Sequence, residues 1–208
     1  MEKVFIGIAG LIGAGKSTLA QSLATKLNLP AYFEEVTEND YLQDFYKDMK
    51  KHSFALQVYL LNRRFKQHQQ IIWQGKGGVQ DRTIYEDAVF AKMLKEDGLM
   101  EERDYQTYLD LSNNMSNFMR KPNLIVYLDV SPEVSLKRIQ ERGREMEKTI
   151  TLKYLQSLHN AYEAFILSIS KVIPVIRVDW NQFHTPEEMA EKIKEEYHKL
   201  QTIHTVNW

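Results

Sequence analysis

Gly10-Leu11-Ile12-Gly13-Ala14-Gly15-Lys16-Ser17, followed by Thr18, is the stretch that decides how the rest of this chain is read. It has the spacing of a phosphate-binding loop, a glycine and then, four residues on, Gly-Lys-Ser. Its neighbours fit that reading. The apolar run 4–9 reads as a strand and residues 15–27 have a helical period, so the loop sits where a strand hands over to a helix. The glycines let successive backbone N–H groups turn inward at the positive end of the helix, which makes a concave anion site. Lys16 can then reach the outer phosphates and the Ser17 hydroxyl can hold Mg²⁺. A glycine-rich turn that merely packs a helix on a sheet would need neither Lys16 nor Ser17.

Outward from the loop, apolar runs alternate with helical stretches, the signature of a parallel sheet built from strand–helix–strand units. Strands are expected at 4–9, 31–34, 79–81, 124–128 and 172–178. Helices are expected at 15–27, 40–73, 84–95, 101–119 and 152–170, with two more after the caps Ser131-Pro132-Glu133 and Thr185-Pro186-Glu187-Glu188. In the helix 40–73, Phe54, Val58, Leu61, Phe65 and Ile72 form one apolar stripe, expected to face the core. Gln57, Leu60 and Arg64 lie on a second face, either solvated or reading a nucleobase edge. The expected architecture is α/β: a three-layer αβα P-loop fold on a five-stranded parallel sheet, one domain over 1–208, with an arginine-rich lid at about 141–149.

The 208 residues carry a formal net charge of −1, which favours a small-molecule substrate over a nucleic acid polymer or a membrane surface. With no cysteine in the chain, neither disulfides nor thiolate metal sites contribute. No apolar run reaches the ~20 residues of a membrane span, and the first strand begins so early that a cytoplasmic protein is expected. The Asn-Lys-x-Asp element of a guanine-specific GTPase is absent.

Acids and arginines supply the remaining chemistry. Glu34 ends the second strand, at the sheet edge where α/β proteins bind ligands, and a carboxylate there can take the proton of an attacking hydroxyl. Asp81-Arg82 ends the third strand. Asp81 resembles a Walker-B acid for Mg²⁺, and Arg82 can steady a phosphoryl group or position Glu34. A structural ion pair is the even-handed alternative. Arg138, Arg142 and Arg144 form a cationic cluster. Because like charges at i, i+4 repel, an anion between them is expected, as in a lid closing over a triphosphate.

Together these residues resemble the deoxynucleoside kinase family, over nearly the whole chain. The resemblance implies ATP as phosphate donor, Mg²⁺, a deoxynucleoside acceptor and a homodimer packed through helices. It assigns Glu34 of Glu34-Glu35-Val36 as general base, although Asp81 is the competing assignment. It places Tyr46 and Glu147 at the sugar 3′-hydroxyl, Gln57, Arg64 and Asp87 at the base, Arg82 at the phosphoryl group and Phe183 beside the ATP adenine. Three departures stand out: Glu35 replaces a usual proline, Thr83 a usual serine, and Gly77-Gly78-Val79-Gln80 is less apolar than the family's third strand.

Asp87 as acceptor and Arg64 as donor suit a base with an exocyclic amine better than thymine, so the expected order is deoxyadenosine, deoxyguanosine, deoxycytidine. A thymidylate-type nucleoside-monophosphate kinase is the nearest rival, but Tyr46 and Glu147 suit a neutral sugar hydroxyl. A nucleotide-binding protein without turnover would be expected to have lost Lys16 or the acids, and both are present.

Overall fold

The computed structural model describes residues 4–34, 39–182 and 184–200. Among them the chain runs β1 (Phe5–Gly10), α1 (Lys16–Leu27), β2 (Ala31–Tyr32), α2 (Asp40–Lys47), α3 (Met49–Trp73), β3 (Gly78–Asp81), α4 (Ile84–Glu96), α5 (Glu102–Ser116), β4 (Leu124–Asp129), α6 (Pro132–Arg142), a short 3-10 turn (Glu145–Glu147), α7 (Leu152–Ile169), β5 (Val175–Asp179) and α8 (Pro186–Leu200). The sheet is wholly parallel in the order β2-β3-β1-β4-β5. The chain thus adds strands on one side of β1 and then on the other, which leaves a crevice at the carboxyl ends of the central strands.

Burial alternates along the strands. Leu124, Val126 and Leu128 of β4 join Ile6 and Ile8 in a core on the side of α1 and α8. Ile125 and Tyr127 face the opposite core, with α4 and α7. Both faces are therefore covered, and the three-layer expectation holds. Each fully buried leucine, such as Leu19 and Leu23, contributes about 1.5–3 kcal/mol through apolar area removed from water.

Several boundaries move. The helix expected over 40–73 is two helices. Asp48, at φ −146° and ψ 85°, breaks the ladder, and its carboxylate caps the second helix by accepting from the Lys51 N–H at 3.1 Å. Both faces of α3 turn inward: from the apolar stripe, Leu61 is fully buried and Phe54, Val58 and Phe65 pack against the core. Gln57 and Arg64 are buried together with Leu56, Leu61 and His68, while Phe54, Val58, Phe65 and Ile72 are only half-buried. The polar face turns inward because it lines a cavity. The last strand starts at Val175 rather than 172, since residues 170–173 close the end of α7 in a turn that Pro174 cannot extend as helix.

β3, the least apolar strand by sequence, is fully buried between β2 and β1. A side chain at Gly78 would come within 2.6 Å of the Tyr32 ring, so glycine allows β2 to approach. Gln80 is hydrogen-bonded to Gln67. No helix among the described residues is long and apolar enough to cross a membrane.

Candidate active site

The carboxyl ends of β1 and β3, the start of α1, helices α2 and α3, and the segment after α6 enclose a cavity of about 270 Å³. Its phosphate end is the loop 10–17. Gly10, Gly13 and Gly15 all have positive φ, which glycine adopts freely. A Cβ on Gly13 would lie 2.8 Å from Ile139 Cγ1 and 3.0 Å from the Ser135 carbonyl, because α6 packs directly over the loop. The Ser135 hydroxyl secures that contact by donating to the Ile12 carbonyl at 2.5 Å. Ala14 is buried and anchors the loop in the core, while Thr18 is exposed on the first turn of α1.

The Lys16 ammonium donates to the Leu11 carbonyl at 2.7 Å. Burial first, and then the Arg82 charge, lower its pKa to about 8. The Ser17 hydroxyl donates to Asp81 Oδ2, and Asp81 Oδ1 is buried with no partner among the described residues.

The opposite end of the cavity is an alternation of charges, with Glu34, Arg64 and Arg82 in its wall and Asp87, fully buried, behind Arg64 and outside the lining. Arg64 Nη2 lies 2.5 Å from Glu34 Oε1, and Arg64 Nη1 meets Asp87. Arg82 Nε approaches Glu34 Oε2 at 3.4 Å. Burial pushes the Glu34 carboxyl up, but Arg64, Arg82 and Lys16 outweigh it and hold it below the usual range. Glu34 is accordingly ionised at neutral pH and placed to accept a hydrogen bond. Gln57 lines the same end, and its Oε1 has no partner among the described residues.

Tyr46 and Glu147 face the cavity from α2 and from the turn after α6. Burial first, then Tyr154 and Glu147, raise the Tyr46 hydroxyl well above its usual pKa, so it stays a neutral donor. Arg142 and Arg144 line the cavity, each held by Glu147, at 2.6 and 3.3 Å. Arg138 is turned elsewhere. Its Nη2 donates to the Trp180 carbonyl at 2.8 Å, outside the cavity wall. The charges at i, i+4 are kept apart here because one guanidinium meets a carbonyl and the other a carboxylate. Phe183 lies outside the described residues.

The structure also brings in residues that the sequence reading passed over. Asn39 caps α2 by accepting from the Tyr41 and Leu42 N–H groups, and it lines the cavity. Its place directly before a helical stretch was the available signal. Phe90 and Tyr154 complete the wall. Glu86 lies four residues after Arg82, a helical spacing, and is buried against it.

A sequence profile of the family described as deoxynucleoside kinase matches residues 6–202. The chain is 60% identical over 207 residues to the deoxyadenosine kinase of Dictyostelium discoideum, an alignment that covers 100% of this chain and 84% of that one. It is 42% identical over 176 residues to the deoxyadenosine/deoxycytidine kinase of Bacillus subtilis strain 168, covering 83% and 81%. A solved deoxyadenosine kinase from M. mycoides, with the products dCMP and a flexible dCDP bound, is similar with a TM-score of 0.85 at 33% identity, covering 94% of this chain and 100% of that one.

Proposed function

We infer, because the chain belongs to the deoxynucleoside kinase family, that it moves the γ-phosphoryl group of ATP to the 5′-hydroxyl of a deoxynucleoside, with deoxyadenosine preferred. The observation that carries this reading is the Arg64 guanidinium, held between Asp87 and Glu34 beside Gln57. One group thereby joins the end of the cavity suited to a nucleobase to the carboxylate suited to the reacting hydroxyl. The relative named for deoxyadenosine alone, at 60% identity, supports the choice of base, while the one at 42% is named for deoxyadenosine and deoxycytidine together.

In this account Glu34 accepts the 5′-hydroxyl hydrogen, fixing the oxygen for in-line attack. It takes the proton as the O5′–P bond forms and the bond from the γ-phosphorus to the ADP oxygen breaks, with ADP leaving. Lys16, Arg142 and Arg144 face the charge that builds on the transferred group. Tyr46 and Glu147 hold the sugar, Tyr46 as donor and Glu147 as acceptor. Ser17 and Asp81 fit Mg²⁺, because the orphaned Asp81 Oδ1 lies beside a hydroxyl and offers a hard oxygen ligand. When bound there, Mg²⁺ would neutralise charge on the phosphate oxygens. Arg138, expected at the triphosphate, donates here to the Trp180 carbonyl beside Gly15, and a turn of its guanidinium toward the loop would bring it to the phosphates.

A homodimer belongs to the same proposal. The exposed Trp73 at the end of α3, Leu111 in α5 and Phe118 in the turn after it offer apolar surface for helix packing. Sedimentation of Trp73→Lys against the parent chain tests it.

The base assignment is tested by Asp87→Asn, which removes an acceptor charge and keeps the shape. The expected result is a fall in kcat/KM for deoxyadenosine of about 10²-fold, since a buried polar group left mismatched costs more than a lost contact. Thymidine turnover would change little. Equal losses for all four deoxynucleosides would sink the base-reading role of Asp87.

A further inference from the structure

Arg82 is held from four directions, and two of its holders have no part in the chemistry derived so far. It is one of two non-glycine residues at positive φ among those described, at +66°. That backbone costs about 1 kcal/mol for a side chain of this kind and persists only where surroundings fix it. The guanidinium lies 4.7 Å over the Phe90 ring and 3.4 Å from Glu34. On its far side, Nη1 donates to Glu86 Oε1 at 2.8 Å and to the Tyr162 oxygen at 2.6 Å. Tyr162 in turn donates its hydroxyl to the same Glu86 oxygen, at 2.8 Å.

The three groups close a ring in which every donor has an acceptor. Glu86 is 1% exposed and Tyr162 is fully buried. The Tyr162 ring is itself stacked on Tyr127, 5.9 Å between centroids and 21° between planes. The ring therefore stands on α4 and α7, two helices packed against each other, rather than on a loop. A buried carboxylate is costly unless a positive charge and hydrogen bonds compensate it. Here the charge of Arg82 is present and both hydrogen bonds fall on Oε1, while Oε2 has no partner among the described residues. Burial pushes the Glu86 carboxyl up against the pull of Arg82.

We propose that Glu86 and Tyr162 are positioning residues for phosphoryl transfer. By occupying Arg82 Nη1 they leave the Nε edge directed at Glu34 and at the cavity, and they keep Arg82 from collapsing onto Glu34 as its sole counterion. Arg82 then presents a fixed positive charge between the attacking oxygen's acceptor and the phosphate end of the site. A fixed donor stabilises developing charge without reorganising during the reaction, whereas a mobile one must be ordered at that moment. This rests on the reading that Arg82 acts in the transfer step.

The test compares Tyr162→Phe, which keeps the stacked ring and removes one hydroxyl, with Glu86→Gln, which keeps the shape and an acceptor oxygen but removes the charge. Each is made in the parent chain and in Arg82→Lys. The expected result is a kcat on the order of ten-fold lower or less, with KM for ATP and nucleoside within about two-fold, because hydrogen bonds to a charged group are lost where only the transition state uses them. In Arg82→Lys the added substitution should cost nothing more, since the ring has already been broken. If Arg82→Lys is slow but Tyr162→Phe keeps the parental kcat, the positioning role is wrong and the role of Arg82 stands. Losses that multiply in the combined variants also overturn the proposal. Full activity of Arg82→Lys removes the premise about Arg82, and the pair's role with it. Should Glu86→Gln not fold, Tyr162→Phe carries the decision by itself.

Discussion

Replacing Glu34 with glutamine would separate chemistry from binding. The substitution preserves size and one acceptor oxygen and deletes the charge that Arg64 Nη2 meets at 2.5 Å and Arg82 Nε at 3.4 Å. Neither arginine is thereby orphaned, because Arg64 keeps Asp87 and Arg82 keeps Glu86. The stability loss is therefore that of hydrogen bonds to a charge, about 1.5–3 kcal/mol, and not of a stranded buried cation. At this chain length each kcal/mol moves Tm by about 2–4 °C, so the variant stays folded at assay temperature. The rate effect is larger. Loss of a positioned proton acceptor lowers kcat by ~10²–10⁴, while the KM for nucleoside, set by the base and the 3′-hydroxyl contacts, moves little. Steady-state kinetics with saturating ATP-Mg²⁺ reads both numbers. The parent enzyme adds a second reading, because the arginines hold the Glu34 carboxyl below its usual range. Stability from that pairing is full above the unfolded carboxylate value and is lost as pH falls through the lowered folded value. The acid limb of kcat should lie correspondingly low. A raised KM with unchanged kcat in Glu34→Gln would refute the assignment of Glu34 as the acceptor of the proton.

Lys16, lowered to about 8, loses its charge within the ordinary assay range. The kcat/KM for ATP should fall as pH rises through about 8, and a profile flat to pH 10 would contradict this. Gly13→Ala puts a methyl group against Ile139 and the Ser135 carbonyl at a positive φ. It should cost about 1–3 kcal/mol by strain and overpacking and raise the KM for ATP more than that for nucleoside, as thermal melts and kinetics would show. His68 is fully buried, with its Nε2 donating to the Arg120 carbonyl at 2.8 Å and its ring against Phe5. Burial lowers its pKa despite that carbonyl, so the folded state binds its proton less well than the unfolded chain. Stability should fall as pH drops below about 6.5, the unfolded value. Urea melts at pH 8 and pH 5 should show a smaller difference in His68→Phe.

The fold was legible where local chemistry and tertiary demand agree. The loop 10–17 needs its glycines for the turn and Lys16-Ser17 for phosphate, and its place between a strand and a helix leaves one kind of sheet edge for it to occupy. The caps at Ser131 and Thr185 behave as their sequences imply: Ser131 accepts from the Val134 N–H and Thr185 from the Glu188 N–H. In α3 the apolar stripe does meet the core, through Leu61, Phe54, Val58 and Phe65, but hydrophobic periodicity by itself could not decide whether the polar face is solvated or buried. Gln57 and Arg64 turn inward because the cavity needs them, and Phe54, Val58 and Phe65 are left half-buried. Asp48 could not be found as a helix break by composition, since its cap depends on a backbone angle. The ring of Arg82, Glu86 and Tyr162 joins residues 80 positions apart. Only the i, i+4 half of it had any sequence signal.

The measurement that bears most directly on the account offers the enzyme ATP-Mg²⁺ with each of the four deoxynucleosides, and separately with their monophosphates, and follows the phosphorylated product. The account predicts the highest kcat/KM for deoxyadenosine and no turnover of the monophosphates. Turnover of monophosphates with inert nucleosides would contradict it, because Tyr46, Glu147 and Glu34 would then be facing the wrong end of the acceptor.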